Sequence, residues 1–117
     1  MGSEIGGYRQ YKKATCTAAT HNLDLVEVRD DHKIYVTMIG TRSDRANADV
    51  EVFIVTGGQE ILLRHALNLS ADEGHTQKVN TWLYTSEFIR FKFGGLTSGD
   101  IVEGWAVGED KYTGEAK

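Results

Sequence analysis

Apolar and polar residues alternate with a period of two along nearly the whole chain, the spacing of half-buried β-strands rather than helices. In "EFIRFKF" (87–93), Ile89, Phe91 and Phe93 fall on one side and Arg90 and Lys92 on the other. A helix would spread those two charges around its circumference, so the pattern predicts a strand. "KIYVTMIGT" (33–41) sets Ile34, Val36 and Met38 against Tyr35, Thr37 and Ile39. "DVEVFIVT" (49–56) sets Val50, Val52 and Ile54 against Glu51, Phe53 and Val55. "TQKVNTWLYT" (76–85) sets Val79, Thr81 and Leu83 against Trp82 and Tyr84. In "LDLVEVR" (23–29) the apolar phase shifts between Leu25 and Val26, which predicts a β-bulge.

The dipeptide Gly57-Gly58 separates two such runs. Both residues can take positive φ, as a type I′ turn demands, so 49–56 and 59–69 are expected to form a hairpin. The second arm, "QEILLRHALNL", fits a helix of a few turns as well as a strand. The tight turn favours the strand, with Ile61, Leu63, His65, Leu67 and Leu69 on its apolar face. "DIVEGWAVG" (100–108) places Val102, Gly104, Ala106 and Gly108 on a face of small residues, opposite Ile101, Glu103, Trp105 and Val107. With a first strand in "YKKATCTAAT" (11–20), about eight short strands are joined by turns such as "RDDH", "SDRANA" and "SADEGH". The expected fold is all-β, an antiparallel β-sandwich of jelly-roll type spanning residues 11–108. Residues 1–10 and 109–117 are polar and glycine-bearing, and are expected to be flexible N- and C-terminal arms.

Composition narrows the function classes. A chain of 117 residues is one domain, able to bury a core without metal or disulfide support. Cys16 is the only cysteine, which excludes an intrachain disulfide and fits synthesis in a reducing cytoplasm. A formal net charge of −4 disfavours nucleic acid, and no apolar run is long enough for a membrane helix. The N-terminal residues lack the apolar stretch of a secretory signal. Proline is absent, whereas average usage would supply about six in a chain of this size. Sheet edges must therefore be shielded by charge, bulges or a neighbouring subunit.

Candidate chemistry is sparse. The glycine-rich segment "FGGLTSGDIVEGWAVG" (93–108) lacks the lysine and following helix of a phosphate loop, and reads as a β-corner. Leu96 is expected to anchor that corner by burial, and Asp100 to satisfy backbone amides within it. His21, His32, His65 and His75 show no metal-ligand spacing, and His65 is expected in the core. No acid–base, nucleophile or metal constellation stands out, so no enzyme, cofactor or metal is expected. Trp82, Tyr84 and Trp105 provide the best small-ligand signal, an aromatic platform for a sugar.

Several features together carry a resemblance. Alternating strands lead into the "VTGGQEILL" hairpin, followed by an aromatic-rich strand and the "GLTSGDIVEGWA" corner. Across residues 20–108 the chain resembles the small β-sandwich virion proteins of tailed bacteriophages, the capsid decoration (cement) and head or tail accessory proteins. Similar Leu-x-x-Gly-Asp corners occur in trimeric jelly rolls of the tumour-necrosis-factor type. The resemblance implies a non-enzymatic structural component of a phage particle, a cement protein that stabilises the capsid through subunit contacts. It implies viral capsid or tail proteins as partners, a homo-oligomer such as a trimer, and location in the virion after synthesis in the host cytoplasm. Tyr8, Tyr11, Tyr35, Phe53, Trp82 and Tyr84 are the candidate interface residues. The alternative is a carbohydrate-binding or receptor-binding β-sandwich module.

Overall fold

The fold is organised around Phe91, which lies fully buried against Gly104 of the opposite sheet. A computed structural model describes residues 5–113 as strands and connecting turns. The strands are β1 (Ile5–Thr15), β2 (His21–Asp24), β3 (His32–Ser43), β4 (Ala48–Thr56), β5 (Gln59–Leu69), β6 (His75–Leu83), β7 (Phe88–Gly94) and β8 (Ile101–Tyr112). They form two antiparallel four-stranded sheets, ordered β1-β8-β3-β6 and β2-β7-β4-β5. Most connections cross from one sheet to the other, and β4–β5 is the hairpin within a sheet. The result is the wrapped, jelly-roll form of the sandwich that the alternation predicts.

Each pattern buries the expected side where the ladder is regular. Ile89, Phe91 and Phe93 of β7 are fully buried, as are Val102 and Ala106 of β8. A Cβ on Gly104 would lie 2.6 Å from the Phe91 ring, so the small-residue face of β8 is the seat of a phenylalanine from the other sheet. The segment 59–69 is a strand, and its turn holds Gly57 and Gly58 at φ 57° and 80°. Asp31, Asn47 and Asp72 adopt positive φ in the three expected turns, a conformation these side chains tolerate. At the corner Leu96 is buried, and the Thr97 amide donates to Asp100 Oδ2 at 2.7 Å.

The departures have local causes. In β3 the register shifts between Val36 and Met38: against β8 Thr37 is an extra residue, whereas against β6 the extra residue lies on β6. Ile34 and Val36 point inward as expected, but beyond the bulge Ile39 is buried and Met38 faces outward. β5 carries two register shifts against β4, so strict alternation fails there as well. His65 consequently pairs with Glu51 on the outside and is exposed rather than in the core. After Asp24 the chain leaves regular pairing. The amides of Leu25 and Val28 donate to Ile89 and Glu87, three residues spanning two, which is a bulge.

The termini also differ from expectation. β1 begins at Ile5 and pairs with β8 from Ile5↔Lys111 to Thr15↔Ile101, so residues 5–10 are strand rather than an arm. β8 likewise continues to Tyr112 through the start of the expected tail. Backbone pairing of the two segments with each other satisfies polar groups that separate arms would leave to solvent. The remaining arm positions, 1–4 and 114–117, lie outside the described residues.

Candidate functional site

The two outer faces of the sandwich are built differently. On the β2-β7-β4-β5 sheet, Arg90 makes a forked contact to Asp24 (2.8 and 3.0 Å) and reaches Glu60 at 3.0 Å. Lys92 donates to the same Glu60 at 2.8 Å. The Arg90 guanidinium lies 5.6 Å from the Phe88 ring centroid, and the Lys92 ammonium 5.0 Å from that of Phe53. Phe88 and Phe53 are thus covered by a charge network of their own chain, whereas Ile61 and Leu62 of β5 are exposed. Hydrogen bonds from Lys92 and then Arg90 hold the Glu60 carboxyl below its ordinary range.

The outer face of β1-β8-β3-β6 carries an apolar stripe. Tyr11 lies opposite Trp105, and Met38 opposite Val107. Tyr35 lies opposite Trp82, their ring centroids 4.9 Å apart and tilted by 47°. Trp105 lies across Gly40, where a Cβ would come within 2.1 Å of the indole. The stripe therefore crosses the sheet diagonally from β1 to β6. Tyr11 is 57% exposed and Trp82 37%, while the residues between them are half-buried.

Polar contacts pin the two ends of the stripe. The Tyr11 hydroxyl donates to Glu103, which also accepts from Arg42. The hydrogen bond from Tyr11, reinforced by Arg42, holds the Glu103 carboxyl below its usual range, and the same bond raises the Tyr11 phenol. At the other end the Tyr35 hydroxyl donates to Asn80 at 3.0 Å, and the Lys33 ammonium sits 4.6 Å from the Trp82 ring centroid. Side chains held in this way lose little further freedom when a surface closes over them.

The six residues singled out from the sequence do not form one surface. Tyr35 and Trp82 are in contact, and Tyr11 shares their face. Tyr84 is exposed in the turn after β6, its amide donating to Glu87 at 2.8 Å. Phe53 is on the opposite outer face, beneath Lys92. Tyr8 pairs with Gly108 and packs inward against the core, because it is an odd number of residues from Tyr11 on a regular strand. Trp105 and Val107 lie on the face opposite the small residues, as the alternation predicts. Met38 joins this face only through the bulge at Thr37, for which the sequence carries no signal.

Cys16 is buried, and burial, with Asp100 and Asp44 nearby, pushes its thiol up and keeps it protonated. Among the described residues, no group of three His, Cys, Asp or Glu side chains is placed to hold a metal ion.

Comparison with solved structures agrees with the fold. A chain from the disulfide-linked pili of Bacillus endospore appendages superimposes with a TM-score of 0.58, at 12% identity, over 98% of this chain and 93% of that one. The Tobacco streak virus coat protein gives 0.48 at 12% identity over 95% and 88%. A family 29 carbohydrate-binding module gives 0.42 at 13% identity over 97% and 77%. At these identities the likeness to the pilus chain shows a common β-sandwich architecture and nothing finer. No family model matches the sequence, and no curated protein matches it.

Proposed function

We propose that this protein is a non-enzymatic structural subunit that works by association, its specific form being a capsid decoration protein of a bacteriophage particle. The observation that carries the reading is the aromatic stripe across the outer face of β1-β8-β3-β6. Tyr11 and Trp82 stand exposed at the ends of a stripe whose side chains are held in place by their own hydrogen bonds and ring contacts. A stripe of this kind gains roughly 25 cal/mol for each Å² of apolar surface it buries, less the cost of immobilising the partner. Tyrosine and tryptophan contribute disproportionately to such contacts. The pilus subunit with the same architecture lends support to a building-block role.

Light scattering across a concentration series, with electron microscopy of the concentrated sample, tests this directly. Self-association or attachment to a capsid shell is expected, weakened by Trp82→Ala and by Tyr11→Ala. A chain that stays monomeric and binds no particle protein would sink the proposal, and growth of helical filaments would move it from capsid to appendage. A second reading is favoured by the tilted Tyr35–Trp82 pair with Lys33 alongside, a platform on which a sugar ring could stack. Glycan-array binding abolished by Trp82→Ala would support that reading over assembly.

A further inference from the structure

Where the core gives out near the start of β3, a cavity of about 170 Å³ opens between the sheets. Tyr8 and Gln10 of β1, His32 and Ile34 of β3, Asp110 of β8 and Val28 of the bulged segment line it. Tyr8 lines this cavity, and its hydroxyl is buried with no hydrogen-bond partner among the described residues. A buried hydroxyl without a partner costs on the order of 1–3 kcal/mol, so such a group calls for an external one. His32 Nδ1 and Asp110 Oδ1 are 2.7 Å apart, which fixes the carboxylate and leaves its other oxygen with acceptor capacity. The Gln10 amide adds a donor and an acceptor. Opposite these groups, Val28 and Ile34 are apolar and buried.

We propose that this cavity binds a single neutral ring bearing adjacent hydroxyls, a monosaccharide or cyclitol. Paired donors and acceptors at one end match a vicinal diol, whose hydroxyls each donate and accept. The aliphatic wall matches the C–H face of the ring. Glu27 and Asp110 lie around the site with Arg29 among them, so no cluster of basic groups selects an anion. A volume of about 170 Å³ has room for one six-membered ring. The site is separate from the outer apolar stripe and does not depend on the assembly role.

The test is a titration followed by amide chemical shifts and saturation transfer, using glucose, galactose, N-acetylglucosamine and myo-inositol at millimolar concentrations. At least one is expected to shift amides of residues 8–10, 26–29 and 110 together. Tyr8→Phe keeps the ring and removes the hydroxyl, so the variant should melt no lower than the parent yet bind about tenfold more weakly. Trp82→Ala should leave this binding unchanged. Silence from all four compounds would overturn the proposal, as would equal binding by Tyr8→Phe. So would a crystal soaked with the best compound that shows only water at the Tyr8 hydroxyl, or binding lost in Trp82→Ala, which would place the sugar on the outer face.

Discussion

Two side chains set the tolerances of the molecule at the smallest scale. Phe91 occupies the space that a Cβ at position 104 would need. Gly104→Ala should therefore force the ring off its rotamer or push the sheets apart, at a cost of about 1–3 kcal/mol measured by urea denaturation. Tyr8 acts through its proton. Burial first, and the Asp110 charge second, push its phenol up to about 12 from the ordinary 10.0. The unfolded chain thus releases this proton at lower pH than the folded one. Stability from this group is fully present below pH 10.0 and is lost as pH rises toward about 12. Denaturation midpoints followed over that window should fall less steeply in Tyr8→Phe than in the parent.

At the scale of the element, the bulges decide which residues face which way. Ile39 is buried and Met38 is not, so Ile39→Ala should cost about 2–5 kcal/mol in chemical denaturation, with Met38→Ala costing clearly less. A β3 without the bulge would reverse that order. The alternation makes β7 and β8 legible from sequence because both keep an unbroken period where Phe91 meets Gly104. It misplaces Met38 because Thr37 is an unremarkable residue whose extra position is set by pairing with β8, not by its own neighbours. The same applies to His65, where two shifts against β4 override a pattern that fits several structures. The candidate surface was legible in part. Cross-strand register joins Tyr35 to Trp82, whereas residue type alone had grouped them with Tyr8 and Phe53, which lie on other faces. Composition reveals that aromatic residues are present, and only pairing reveals which of them meet.

The whole molecule is elongated, with extents of 52 × 25 × 21 Å and a radius of gyration of 15.1 Å. A compact chain of this length would have a radius of about 13 Å. An elongated monomer leaves a sizing column early, so association is properly judged by mass, from light scattering, and not by elution volume. The two long strands β1 and β8 account for part of this length, lying side by side from Ile5↔Lys111 to Thr15↔Ile101. Their pairing also joins opposite ends of the sequence, and contacts of such separation close late and fold slowly.

That pairing places the first and last strands edge to edge, so the covalent order of the chain is separable from its shape. A short linker from Tyr112 back to Ile5 would close the backbone into a ring, which could be reopened between Gly57 and Gly58 at the exposed β4–β5 turn. Such a circular permutant should give the same β-sheet circular dichroism and a similar unfolding midpoint. Failure to fold would mean that β4 and β5 must be continuous for the sandwich to form. In the native order Ile5 and Tyr112 lie at the same pole of the sandwich, and the Gly57-Gly58 turn offers a second place to open or extend the chain.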